Sequence, residues 1–147
     1  MNSSDLEYFL KNNIPMAKHM GISILSCDEN SLVSSAPLEY NKNDKGTGFA
    51  GSIFSICAMS GWSYIRFLTL NEGVNSDIMM HASEIVYHKP VLDDFNAEAK
   101  LNKPGDLKKF IEELKVKGKS RIEVKVSVSS LNDLKAEFTG SFVAVLK

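Results

Sequence analysis

The stretch NKNDKGTGFAGSIFSICAMSGWSYIRFLTLN, from Asn41 to Asn71, decides how the chain folds. It opens as a polar loop punctuated by glycine, with Asn41, Asn43, Asp44, Gly46 and Gly48. It then passes through Ala50-Gly51-Ser52 into an apolar run that has no proline and no acid before Glu72. Projected at about 100° per residue, Ile53, Phe54, Cys57, Gly61, Tyr64, Ile65 and Leu68 share one side. Ser52, Ser55, Met59, Ser63 and Arg66 share the other, and even that stripe is small and mostly uncharged, so the spacing predicts a helix buried nearly all round. The first N–H groups of such a helix lack intrahelical partners, and its dipole favours negative charge at that end. The stretch suits an active site, and it equally suits a core helix with an ordinary glycine-rich entry loop.

Composition sets the outer limits. A chain of 147 residues, 44% hydrophobic and 24% charged, is expected to form a single globular domain with a sizeable core. A net charge of -1 gives no global attraction to nucleic acid or to an anionic membrane, so any anion recognition must be local. Cys27 and Cys57 form no CxxC and sit among apolar residues, which predicts reduced core thiols and a cytoplasmic protein. The N-terminal MNSSDLEYFLKNN has neither a basic segment nor a long apolar one, so no signal peptide is expected. Serines, Gly61 and Arg66 interrupt the run from Ile53 to Leu70, and no membrane span is expected there either.

Outward from the central helix, the N-terminal side carries a short helix that Ser3-Ser4-Asp5 can cap, ending by Asn13 before Ile14-Pro15. Met20 to Cys27 and Ser31 to Leu38 read as two strands joined by the turn Asp28-Glu29-Asn30. On the C-terminal side, the turn Gly73 to Asp77 leads to a long strand from Ile78 to His88, stopped by Pro90. That strand has apolar residues on both parities, which predicts cover on both faces and a place at a two-fold interface. Phe95 to Leu101 alternates as a strand, and Pro104-Gly105-Asp106 starts an amphipathic helix that Gly118 ends. Arg121 to Ser129 and Leu134 to Leu146 alternate clearly and are joined through Leu131-Asn132-Asp133. No internal repeat or linker interrupts this order.

A hairpin, a long buried helix and four further strands with one short inserted helix make an α+β domain. One apolar helix wrapped by a single curved sheet is the hot-dog arrangement. In that frame Asn41, Gly46-Thr47, Ala50-Gly51-Ser52 and Ser60-Gly61-Trp62 resemble the thioesterase-type domain found behind GNAT acetyltransferases in some bacteria, the YiiD C-terminal type. Tyr87…Pro90 and Phe110…Leu114…Gly118-Lys119…Arg121 are similar to it too, so the resemblance covers most of the chain, here without a GNAT portion.

The resemblance implies a hot-dog protein that dimerises by joining two sheets edge to edge, and the two-faced apolar strand from Ile78 to His88 allows such dimers to pair again into a tetramer. It implies binding and hydrolysis of acyl-CoA or acyl-ACP thioesters at the dimer interface, with no metal and no redox cofactor. The thioester carbonyl would sit over the N-terminus of the central helix, polarised by the Gly51 N–H. Two features depart from the pattern. Ala50-Gly51 stands where relatives usually show Gly-Gly, and Ala58 stands where many hot-dog thioesterases carry a helix acid. Another branch, the 4-hydroxybenzoyl-CoA and YbgC-like thioesterases, uses an aspartate in the loop before the helix, and Asp44 is placed comparably.

Asp44 is therefore the candidate base or nucleophile and Gly51 the candidate oxyanion donor, although an aspartate in such a loop also forms Asx turns. Candidate substrate contacts are Asn41, Thr47, Phe49, Ser52, Ser60, His81, Lys119 and Arg121. Ser60 can instead bond back to a helix carbonyl, and His81 can be a satisfied structural residue. Lys119 and Arg121 close a basic segment that begins at Lys100 and suits CoA phosphates or an acidic carrier protein; such a run is also an ordinary solvated face. The three histidines make no metal constellation, and no P-loop, Gly-x-Ser-x-Gly elbow or Cys-His arrangement is present. Beside the acyl-thioesterase stand two alternatives, a hot-dog protein that binds acyl-CoA without turnover and a thioester-handling lyase, which would want a histidine paired with an acid.

Overall fold

The computed structural model describes all 147 residues. The elements run α1 (Ser3–Asn13), α2 (Pro15–His19), β1 (Ser23–Cys27), β2 (Leu32–Ala36), α3 (Ala50–Asn71), β3 (Ser76–Tyr87), β4 (Phe95–Leu101), α4 (Asp106–Lys117), β5 (Lys119–Ser130) and β6 (Asp133–Leu146). The first helix ends at Asn13 as expected, and Pro15 then starts the short α2, sitting in its first turn where a missing N–H costs nothing. The strands form one antiparallel sheet in the order β1-β2-β4-β5-β6-β3, and this sheet curves around α3 in the α+β hot-dog arrangement.

The core lies between the helix and the concave face. Ile53, Ile56, Cys57, Ile65 and Leu68 of α3 meet Ala97, Ala99, Val124, Val126, Phe138 and Phe142 of the sheet. Met59 and Ser63, on the less apolar stripe, are buried as well, as the absence of charge there predicts. Burial pushes the thiols of Cys57 and Cys27 up to about 12, so neither is a ready nucleophile. The helix comes close to the sheet at Gly61, where an added Cβ would lie 2.9 Å from Cζ of Phe142, a ring that is itself buried.

The two edges of the sheet are finished differently. At β1, the Glu7 carboxylate of α1 accepts the Ile24 N–H at 2.8 Å and so occupies part of the edge ladder. At β3, the Trp62 indole N–H takes the Ile78 carbonyl at 3.0 Å, and the remainder of the strand is uncovered. A bulge at His81 explains why the β3 sequence shows apolar residues on both parities. Met80 faces Phe142, Ala82 faces Ser141 and Ile85 faces Phe138, so the inward set changes from even to odd numbers across the bulge. Ile78, Met80, Ile85 and Tyr87 thus share the concave face, while Met79 and Val86 lie exposed on the other, so the strand is apolar on both faces with its parity shifted by the bulge.

The β5–β6 hairpin turns on Leu131 and Asn132, with φ of 52° and 58°. Positive φ at both central residues marks a type I′ turn, which suits asparagine and strains leucine. Leu131→Asn should therefore stabilise the domain by about 0.5–1 kcal/mol. Gly61→Val should cost about 1–3 kcal/mol, because the Phe142 ring has no room to retreat. Urea denaturation of the two variants measures both, and a stable Gly61→Val protein would mean that α3 and the sheet do not approach as described.

Candidate functional site

The loop ahead of α3 is a closed, hydrogen-bonded structure. Asn43 Oδ1 accepts the N–H groups of Lys45 at 2.9 Å and Thr47 at 3.1 Å, and Asn43 Nδ2 donates to Thr47 Oγ1 at 2.9 Å. Asn41 is buried beneath it, donating from Nδ2 to the carbonyls of Met20 at 2.9 Å and Pro37 at 2.7 Å. Its own carbonyl accepts the Phe49 N–H at 2.7 Å, which fixes where the helix begins. Asn41 and Thr47 thus hold the loop together.

Phe49 is the N-cap of α3 and supplies no side-chain cap. The first intrahelical bond runs from Ile53 N to Phe49 O, and the N–H groups of Ala50, Gly51 and Ser52 have no backbone acceptor. A helix of 22 residues therefore ends on three open donors at the positive end of its dipole. The Phe49 ring, 53% exposed, folds back over Gly51, where an added Cβ would lie 2.6 Å from it.

Beside these donors is a cleft of about 310 Å³ lined by Asn43, Gly48, Ala50, Ile53 and the segment from Tyr87 to Val91. Two bonds join its walls: Gly48 N to Val91 O at 2.8 Å and Tyr87 Oη to Ala50 O at 2.8 Å. Burial raises the Tyr87 phenol, with a smaller push from Cys57, which keeps it a hydrogen-bond donor. His88 opens onto the same cleft, and its Nε2 lies 2.9 Å from Oε2 of Glu137 on β6. Backbone bonds from His88 and Lys89 to the Lys135 carbonyl anchor that wall.

This pairing was invisible in the sequence, where His88 has no partner at any local spacing and Glu137 lies in a different strand. The β3–β6 register, with Val86 opposite Glu137, brings the two side chains together. The only available signal was a histidine directly before Lys89-Pro90 at the end of the strand.

The expected site residues are placed unevenly. Gly51, Ser52 and Phe49 are at the helix entrance. Asp44 stands at the tip of the loop with its side chain 82% exposed, held by Lys45 Nζ at 3.0 Å, and it does not line the cleft. Ser60 is buried in the core; its hydroxyl donates to the Ile56 carbonyl at 2.6 Å and lies 2.7 Å from Ser34 Oγ. His81 is the bulged residue of the β3 edge. Lys119 and Arg121 pair with Val145 and Val143, at the end of the sheet opposite the helix N-terminus, and the fold of one chain does not bring them to the cleft. No group of histidine, cysteine and acidic side chains is arranged to hold a metal ion.

The same architecture recurs among known proteins. A solved "putative thioesterase" from Shewanella oneidensis superposes with a TM-score of 0.84 at 27% identity, over 97% of this chain and 96% of that one. A protein of unknown function from Chlorobaculum tepidum gives a TM-score of 0.91 at 25% identity, over 99% and 94%. A Haemophilus influenzae thioesterase shares the fold at 14% identity, with a TM-score of 0.78 over 99% and 92%. Residues 3–146 match the family described as "Putative thioesterase (yiiD_Cterm)". By a match that runs nearly end to end, the chain belongs to the YiiD C-terminal thioesterase family.

Proposed function

We propose that the protein hydrolyses acyl thioesters of CoA or of acyl carrier protein at the entrance of α3. The observation that carries this reading is the set of unpaired N–H groups at Ala50, Gly51 and Ser52 beside a cleft lined by His88, whose ring is bonded from outside the cleft by Glu137. In this mechanism the thioester carbonyl oxygen accepts hydrogen bonds from that first turn, where the helix dipole stabilises the oxyanion as it forms. Glu137 orients the His88 ring, and His88 takes a proton from water as the water oxygen attacks the carbonyl carbon. The tetrahedral intermediate then expels the thiolate, which recovers the proton from His88, leaving acid and thiol as products. Tyr87 holds the first turn in place through Ala50. Asp44 is the second candidate for the base, and it would have to leave Lys45 and reach the cleft from the loop tip.

The same reading includes a second copy of the chain. Met80, Ile85 and Tyr87 face the concave side of β3, yet Met80 and Tyr87 are exposed and Ile85 is only partly covered, even though Tyr87 reaches the first turn of α3 at Ala50. A long free edge beside uncovered apolar side chains invites strand pairing. We assign β3 to a two-fold edge-to-edge contact, which would set the Tyr87 end of one chain beside the Ser76 end of its partner. Lys119 and Arg121 stay outside this mechanism.

Thiol release from a panel of acyl-CoAs tests the chemistry. His88→Gln should lower kcat by about 10²-fold or more with little change in KM, and Asp44→Asn should stay within about twofold. The reverse pattern would transfer the base to Asp44. Tight binding of the same panel with no turnover by the wild type would make the protein an acyl-CoA binder, a reading favoured by the lack of any acid in α3. Light scattering should show a dimer at micromolar concentration that Ile85→Lys dissociates; a folded wild-type monomer would remove the β3 contact.

A further inference from the structure

A second cleft, of about 440 Å³, lies at the other end of β3, between α1, the last turns of α3 and the strand start. Its walls include Phe9, Trp62, Arg66, Ser76, Asp77 and Lys147. The Phe9 and Trp62 rings stack with centroids 6.0 Å apart, and the Arg66 guanidinium carbon lies 3.7 Å from the Phe9 centroid. Stacking uses the flat face of the guanidinium and leaves its N–H edge without a partner. Arg66 Nε is buried with no acceptor, and Asp77, the acidic side chain lining the cleft, is already taken by Lys147 Nζ at 3.0 Å. Ser76 is 4% exposed, and its hydroxyl also has no partner.

Buried polar groups are nearly always hydrogen-bonded, and two that lack a partner in the wall of one cleft, beside a guanidinium that makes no ion pair, mark it as a place for an acceptor. A guanidinium edge and a hydroxyl both donate to oxyanions, and guanidinium matches the two oxygens of a phosphate or carboxylate. The adjoining aromatic pair offers a surface for a flat or apolar body. We propose that this cleft is an oxyanion subsite in which Arg66 and Ser76 take a phosphate or carboxylate of the ligand, with the Phe9–Trp62 pair against the adjoining moiety. The identity of that ligand as an acyl thioester rests on the functional reading above. The oxyanion is then either a phosphate of the CoA carrier or a carboxylate at the far end of the acyl chain. The β3 pairing proposed above would set this cleft beside the partner's helix entrance.

Trp62 is the single tryptophan of the chain, so its emission reports on this cleft directly. The full-length protein is titrated with CoA, which carries phosphates and no acyl group, and with glutarate, which carries carboxylates alone. A saturable change in emission is expected with at least one of them, and which one identifies the source of the oxyanion. Arg66→Met should raise that Kd about tenfold or more, roughly 1.4 kcal/mol. Arg66→Lys should fall between, keeping the charge and losing the fork, and Ser76→Ala should weaken binding severalfold. If Arg66→Met does not fold, Arg66→Lys and Ser76→Ala carry the test. A flat titration with both probes, or an unchanged Kd in the folded variants, overturns the subsite. So does a variant series that shifts dimer dissociation alone, which would give Arg66 to the partner chain instead. Thiol release measured on the same proteins separates the two readings: an emission response without hydrolysis keeps the subsite and removes the thioesterase, whereas hydrolysis with unaltered KM in Arg66→Met does the opposite.

Discussion

A helix of 22 residues whose only charged side chain is Arg66 cannot face water along its length, and the sheet's curvature answers that constraint. Wrapping requires the backbone of the helix to come close to the concave face. Gly61 allows this against Phe142, and Gly140 allows the Phe138 and Phe142 rings to lie over β6. Once α3 is held this way its two ends have fixed surroundings. The N-terminus emerges beside the loop from Asn41 and the end of β3, and the C-terminal turns carry Arg66 into the cleft by α1. The position of each candidate site follows from how one apolar helix is buried.

The sheet edges show the same logic from the other direction. An open ladder is a hazard unless something occupies it. Glu7 reaches from α1 to Ile24, and although burial by itself would raise its carboxyl, the hydrogen bonds from Lys11 and Ile24 and the charge of Lys11 bring it below the usual range. The carboxylate therefore stays ionised as an acceptor for the edge N–H. No comparable residue serves most of β3. Trp62 covers a single carbonyl there, and the bulge at His81 turns onto the concave face apolar side chains of which Met80 and Tyr87 stay exposed.

At the helix entrance, nearness in sequence and nearness in space separate. Asp44 lies only a few residues from the open N–H groups, yet the bonds that Asn43 makes to Lys45 and Thr47 turn the loop tip outward. His88 is far along the chain and lines the cleft, because the same turn that ends β3 also supplies Val91 as the acceptor for Gly48. The rigidity that presents the donors is what directs the loop carboxylate to solvent.

Local pattern was enough for most of the fold. The periodicity of Ile53 to Leu68, the alternation of Ile122 to Val128 and the stop at Gly118 are short-range signals, and each matches an observed element. The helix entrance was legible for the same reason, since unpaired N–H groups follow from where a helix starts and from the lack of a capping side chain. What the sequence could not carry was any relation set by strand register or by packing between distant elements. The His88–Glu137 pair depends on β3 and β6 aligning Val86 with Glu137, and the parity change at His81 depends on a bulge without a local composition signal. The stacking of Arg66 on Phe9 depends on α1 crossing α3. Periodicity fixes which face of an element is apolar. Only the tertiary structure decides which polar side chains, left on the remaining faces, meet each other and which are left unpaired.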